Sequence, residues 1–351
     1  MNEGIRTLSP ARFWSWMSAF ILFTLTCLII APLLGAHDIN LKNAFDFSVP
    51  LSDNTDRQIL FLTRYPRVIL ALIVGASLAL SGAALQGLLR NPLASPFTLG
   101  VASGGTLGAA LAIFLGSSIS PIFLHGSTML RTPWTVLGAF VFSLLTIALV
   151  WALAYRKGRL PVGLLLLAGV SVNFLFGALV LLLQYMSDFE QNFALVRWMM
   201  GSLDVVNYDS VIWVAPVTIV CGFILMSNAR AYNLMALGDS AAQTSGVNVR
   251  RLELGGFIAS GLLAGAAVSQ VGPIGFVGLI VPHLVRIIVG PDYRLVMPGS
   301  FIAGGGFLVI CDLASRTVMA PIELPPGIIT ALLGAPFFLS LLRTKAKEIA
   351  V

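Results

Sequence analysis

Charge is what this sequence has least of. Only 10% of its 351 residues are Asp, Glu, Lys or Arg, against 57% hydrophobic residues, where soluble domains carry about a quarter charged. Cysteine is nearly absent: Cys27, Cys221 and Cys311 all fall inside apolar runs. Their spacing fits neither a metal site nor a disulfide framework, so they read as small apolar filler. Histidine is equally scarce. His37, His125 and His283 lie far apart, and no HExxH or His/Cys cluster occurs, so no metal site or metalloenzyme is expected. The dipeptide Gly-Lys never occurs, which excludes a P-loop for ATP phosphates. Neither ATP nor another cofactor is expected in this chain.

What remains is long apolar runs. About ten can be marked, most near the ~20 residues that cross ~30 Å of hydrocarbon: 14–35, 65–89, 98–116, 133–154, 162–186, 211–228, 253–271, 275–289, 297–319 and 326–342. They are too long and too continuous for barrel strands. In lipid the backbone must satisfy itself, so helices are the remaining choice. The expected fold is therefore all-α: one polytopic membrane domain of about ten transmembrane helices, with no linker long or polar enough to divide it. No A-x-A-like site follows the first run before Pro32, so a cleavable signal peptide is not expected.

The net charge of +6 follows topology and does not point to nucleic acid. With an even number of spans both termini share one side. Gaps on that side hold Arg6, Arg12, Arg90, Arg156, Lys157, Arg159, Arg230, Arg250, Arg251, Arg286, Arg294, Arg343, Lys345 and Lys347. The opposite gaps hold only Lys42, Arg57, Arg64, Arg67, Arg131, Arg197 and Arg316, and most of the acidic residues. This positive-inside bias places both termini, including a tail over 1–12, in the cytoplasm.

The runs are nearly free of carboxylates. Asp312, one turn from Arg316 near the end of the ninth run, is the main exception, and the pair reads as an i,i+4 contact. Ion-driven carriers usually keep ionisable groups in mid-membrane. A secondary carrier thus loses support, and transport would need energy from a partner. Ala102-Ser103-Gly104-Gly105 superficially suggests a nucleophile, but such a run also serves as a helix contact, and only His283 could activate it. The gap 36–63 reads as a solvated outer loop. The inner gap 229–252 reads as a structured docking segment: Asp239 can cap a helix over Ser240–Ser245 and Gly246 can end it. A weak internal echo links Ser81–Gln86 with Ala264–Gln270, as in inverted repeats of transporters.

At this point the residues resemble a family. Arg64-Tyr65-Pro66-Arg67, Gly82–Gly87 with Arg90-Asn91-Pro92-Leu93-Ala94, Leu237-Gly238 with Gly246-Val247, Gly275–His283, and Glu323–Gly327 with Gly334–Phe337 are similar to motifs of FecCD/BtuC-type permeases. These belong to ATP-binding-cassette importers for iron chelates, haem and cobalamin. The resemblance runs from about Arg64 to Arg343. It implies ten helices, a homodimer with one pathway at its axis, two cytoplasmic ATPase subunits that bind ATP and Mg, an external binding protein, and a bacterial cytoplasmic membrane. It also implies residue roles. Arg64, Arg67 and Arg316 would meet carboxylates of the binding protein. Leu237, Gly238, Asp239, Ala242, Gly246 and Val247 would couple to the ATPase. Asn91, Pro92 and Leu93 would form a cytoplasmic gate, with Leu160, Val162 and Gly163 as its second part; relatives with hydroxyl residues there differ from this chain. Asn173 and Gln184 would line the pathway. Siderophore ranks first as cargo, with haem and cobalamin open.

Overall fold

The computed structural model describes residues 9–35, 38–119, 132–156, 160–205 and 207–349, with side chains of 117–119 and 341–349 left aside. His37, His125, Arg131, Lys157, Arg159 and most of the 1–12 tail lie outside the described residues. Every regular element is a helix: α1 (Pro10–Ile30), α2 (Leu41–Ala44), α3 (Thr55–Gln58), α4 (Tyr65–Leu88), α5 (Val101–Ile119), α6 (Pro133–Ala154), α7 (Val162–Met186), α8 (Phe189–Met199), α9 (Asp209–Ser227), α10 (Ala229–Ala236), α11 (Asp239–Thr244), α12 (Val249–Val271), α13 (Val277–Val289), α14 (Tyr293–Thr317) and α15 (Pro326–Ile349).

Each apolar run is matched by one helix. Among the described residues, seven are long and apolar enough to cross a membrane, and three shorter apolar helices lie in α5, α13 and α15. The expected loop over 36–63 is corrected: it contains α2, a 3₁₀ turn (Leu51–Asp53), α3 and a π-helical turn (Ile59–Arg64) that runs straight into α4. Asn40 and Asn54 accept from the backbone N–H of Lys42 and Arg57, so local Asn caps start helices where composition alone reads as loop.

Burial ranks the helices. The apolar windows of α4, α12 and α14 are 83, 78 and 72% buried, whereas those of α1 and α7 are each 22% buried. The first three form the centre, and the others leave apolar side chains outward, as a lipid solvent permits. Small residues make the centre possible. The Ser81 hydroxyl donates to the Ser260 carbonyl at 2.8 Å, tying α4 to α12. A Cβ at Gly82 would overlap the Gly278 carbonyl of α13, so these backbones touch directly. Gly82→Val is therefore expected to destabilise the protein by about 3 kcal/mol, the upper end for overpacking. Denaturant titration in detergent reads this, and an unchanged midpoint would contradict the packing. Gly104 and Gly105 face Thr146 and Ser143 of α6. The Ser103–Gly105 run is thus a helix contact.

Candidate functional site

Three local structures gather the sequence-selected residues. The first is the break between α4 and α5. Leu89 follows the helix, and Arg90 takes a left-handed backbone with φ 47°. Pro92 cannot supply an N–H, so the chain leaves the helix here. Its polar groups are satisfied locally. The Leu93 N–H donates to Asn91 Oδ1 at 2.9 Å, and the Thr98 N–H donates to Ser95 Oγ at 3.2 Å. Ala94, Ser95, Pro96, Leu99 and Gly100 are buried, while Leu93 is exposed. Irregular backbone is tolerated at membrane depth only when buried or lining a cavity, and this segment meets that condition.

Asn173 holds the break from the side. Its Oδ1 accepts from the Ser103 hydroxyl at 2.7 Å, and its Nδ2 donates to the Phe97 carbonyl at 3.4 Å. It is half-buried and engaged with α5, not turned into an open channel. Gln184 donates to Met199 Sδ at 3.7 Å, towards α8. Val162 begins α7 and Leu160 precedes it, both half-buried; Gly163 is exposed and has open space around it. No hydrogen bond or ion pair joins 160–163 to 91–93 among the described residues.

The second structure is the α10–α11 pair. Buried Tyr232 and Met235 seat α10. Asn233 donates to Asp292 Oδ1 at 2.7 Å and accepts from the Tyr293 N–H at 2.8 Å, fixing α10 to the start of α14. Gly238 turns the chain with φ +118° and is itself the N-cap of α11. The expectation that Asp239 caps this helix is corrected. Asp239 is its first residue, and its carboxylate accepts from the Arg90 guanidinium instead. Buried Ala242 packs α11 down. Gly246, at φ +84°, ends the segment, with the Val247 N–H donating to the Ala242 carbonyl at 3.0 Å; this is the left-handed glycine stop expected from sequence. Leu237 stands out from the pair, 65% exposed. The Arg90–Asp239 ion pair joins the break directly to the α10–α11 pair, a link sequence reasoning missed because the partners are 149 positions apart.

The third structure is an ion cluster at the opposite end of α4. Arg67 donates through Nε to Asp312 at 2.8 Å, and through Nη1 to Asp204 and Glu323, each at 2.7 Å. Arg316 Nε donates to the other oxygen of Asp312 at 3.0 Å, so the i,i+4 contact is present. Arg316 also donates to the Ala31 and Leu34 carbonyls, both at 3.2 Å. Arg64 donates to the carbonyls of Pro32 at 3.0 Å and Leu33 at 3.3 Å. These carbonyls follow the end of α1, where helices leave acceptors unpaired and attract cations. The expected outward presentation of Arg64, Arg67 and Arg316 is thereby corrected. All three are buried, because Asp312 and the orphan carbonyls lie inward. Asp204 and Glu323, both exposed, form the surface above them. His283 packs edge-on against Phe337.

Comparison with known proteins places this arrangement. The FecCD transport family matches residues 22–344. The chain is 38% identical over 333 residues to a hemin transport system permease protein of Yersinia pestis, covering 95% of this chain and 96% of that one. It is 42% identical over 303 residues to a cobalamin import system permease protein of Halobacterium salinarum, covering 85% and 76%. A solved structure, described as an inward-facing conformation of an ABC transporter of metal-chelate type, aligns with a TM-score of 0.81 and 33% identity, covering 95% of this chain and all of that one. With the motifs in order from the start of α4 to α15, the chain belongs to the FecCD transport family.

Proposed function

We propose that this chain is the permease subunit of an ATP-binding-cassette importer that moves a metal chelate, a ferric siderophore first and haem or cobalamin as alternatives, across the cytoplasmic membrane of a bacterium. Family membership makes it a transport protein and not a catalytic subunit. Both termini face the cytoplasm in this reading, as the positive-inside bias requires. The cargo reading rests on the named relatives.

The observation that carries the mechanism is the Arg90–Asp239 link between the break and the α10–α11 pair. A cytoplasmic ATPase docked on Leu237–Val247 would move α11 when its two copies close on ATP. The ion pair would pass that movement to Asn91-Pro92-Leu93, the inner gate. Such a ligand-driven change needs only a difference in affinity between two states. A second copy of this chain completes the pathway in this reading. The outward face of α7, with Phe174 and Tyr185 among its exposed side chains, supplies the wall. In this reading Arg67 supports the external binding protein's seat from beneath by fixing the exposed Asp204 and Glu323, while Arg316 and Arg64 anchor the ground under it through Asp312 and the carbonyls after α1.

Uptake into vesicles holding this chain, its ATPase and its binding protein is expected to require ATP and to persist when ion gradients are collapsed. Uptake that follows a proton or sodium gradient instead would replace the importer with a secondary carrier. Coupling has its own test at Gly238. Its φ of +118° strains any residue with a Cβ by about 1–3 kcal/mol. Gly238→Val is therefore expected to lower transport per ATP about 10–100-fold while ATP hydrolysis continues. A normal transport-to-hydrolysis ratio would remove Gly238 from the coupling path.

A further inference from the structure

A cavity lies away from the proposed gate. It has a volume of about 690 Å³ and sits between α6, α9 and α12, inside the ~300–1,000 Å³ range of small-molecule sites. Its two ends differ chemically. Val136, Phe140 and Val217 line an apolar stretch, and Asp209 and Gln270 stand at the end where α9 begins and α12 finishes. Trp213, also lining it, is 72% exposed. The cavity therefore opens sideways, between helices whose outer faces are apolar, and Trp213 lies one turn into α9, the level where indoles mark a membrane interface.

The polar end is unfinished. Gln270 is only 7% exposed, yet its carboxamide makes no hydrogen bond among the described residues. The amide is not sealed off from solvent; it lines the cavity wall with its hydrogen-bonding capacity unused by the protein, so a cavity-side ligand atom can complement it. Asp209 is an exposed carboxylate in the first turn of α9, and no described cation pairs with it. Asp204 also lines the cavity but is already paired with Arg67; one unpaired carboxylate, one amide and an apolar shaft fit an amphiphile with a cationic head.

We infer that this cavity is a binding site for a membrane phospholipid with a primary ammonium headgroup: the ammonium pairs with Asp209, Gln270 donates to a phosphate or ester oxygen, and an acyl chain fills the stretch along Val136, Phe140 and Val217. The cavity lies off α7, so it is separate from the proposed pathway. The inference uses the importer reading only to place the polar end of the cavity, where α9 begins, at the outer leaflet; the binding itself is read without transport.

The test is lipid analysis of the complex, purified in mild detergent from membranes containing phosphatidylethanolamine and phosphatidylglycerol. Wild-type protein is expected to retain phosphatidylethanolamine enriched about fivefold over its share of the membrane, the effect of roughly 1 kcal/mol. Asp209→Asn should return retention to the membrane ratio, and Gln270→Leu should reduce total retained lipid. Both variants are first checked for wild-type elution on gel filtration, and Gln270→Glu serves as a second amide-removing variant if the leucine form does not fold. Equal enrichment in wild type and Asp209→Asn would overturn the headgroup assignment. Retention of no lipid, or displacement of the lipid by a ferric chelate, would overturn the site. Failure of ATP-driven uptake would sink the importer reading and leave this readout intact.

Discussion

Asp312→Ala is expected to be the most damaging single substitution away from backbone contacts. Asp312 is fully buried and holds two buried arginines at once, Arg67 at 2.8 Å and Arg316 at 3.0 Å. Removing it leaves two cations in an apolar bundle with their central partner gone. Breaking a buried ion pair typically costs about 3–5 kcal/mol. Arg67 keeps Asp204 and Glu323, but those carboxylates are about half exposed and screened, so they compensate little. The expected result is protein that fails to accumulate, or an unfolding midpoint far below wild type in denaturant titration. A triple replacement of Arg67, Asp312 and Arg316 by leucine should recover most of the loss, because an apolar substitute for a whole buried ion cluster is often neutral or stabilising. A stable Asp312→Ala protein would show that the cluster is not the anchor of α4 and α14. A stable triple variant that no longer transports would separate the cluster's structural role from its proposed role under a docking surface.

The second large effect is on coupling. Arg90→Glu is expected to reduce transport per ATP by about 5–150-fold, the span of coupling energies between linked sites. Folding should change by about 1 kcal/mol or less, since both partners are partly exposed and such pairs contribute little stability. Asp239→Arg should behave alike, and the combined Arg90→Glu, Asp239→Arg variant should restore transport. The measurement is the ratio of vesicle uptake to phosphate released. Rescue in the double variant would tie the proposed gate to the α10–α11 pair. Two defective single variants without rescue would mean that each residue acts elsewhere.

Much of this architecture is legible in composition. Lipid demands long apolar helices, and the ten runs stand where the ten apolar helices lie. The stop at Gly246 was equally readable, because only a left-handed backbone ends the segment there. α8 is the element composition hides. Phe189–Met199 is amphipathic and far less apolar than its neighbours, yet Asp188 and Gln191 form a capping box that announces its start; the cue is local, and a search for hydrophobic runs passes over it. The ion cluster shows the deeper limit. Arg64, Arg67 and Arg316 look like exposed charges at helix ends. What turns them inward is Asp312, 245 positions from Arg67, and carbonyls at the end of α1. Such partners are set by tertiary packing. Asp239 shows the same competition on a smaller scale: a local cap is available, and a distant arginine takes the carboxylate instead.

The most direct test of the central claim is what this chain holds on to. Affinity purification from its native membrane in mild detergent, followed by mass spectrometry, is expected to recover a P-loop ATPase in equal ratio, lost when Leu237 and Gly238 are replaced. A stable chain that repeatedly purifies without an ATPase would contradict the account, and would return the weight to a carrier powered by an ion gradient.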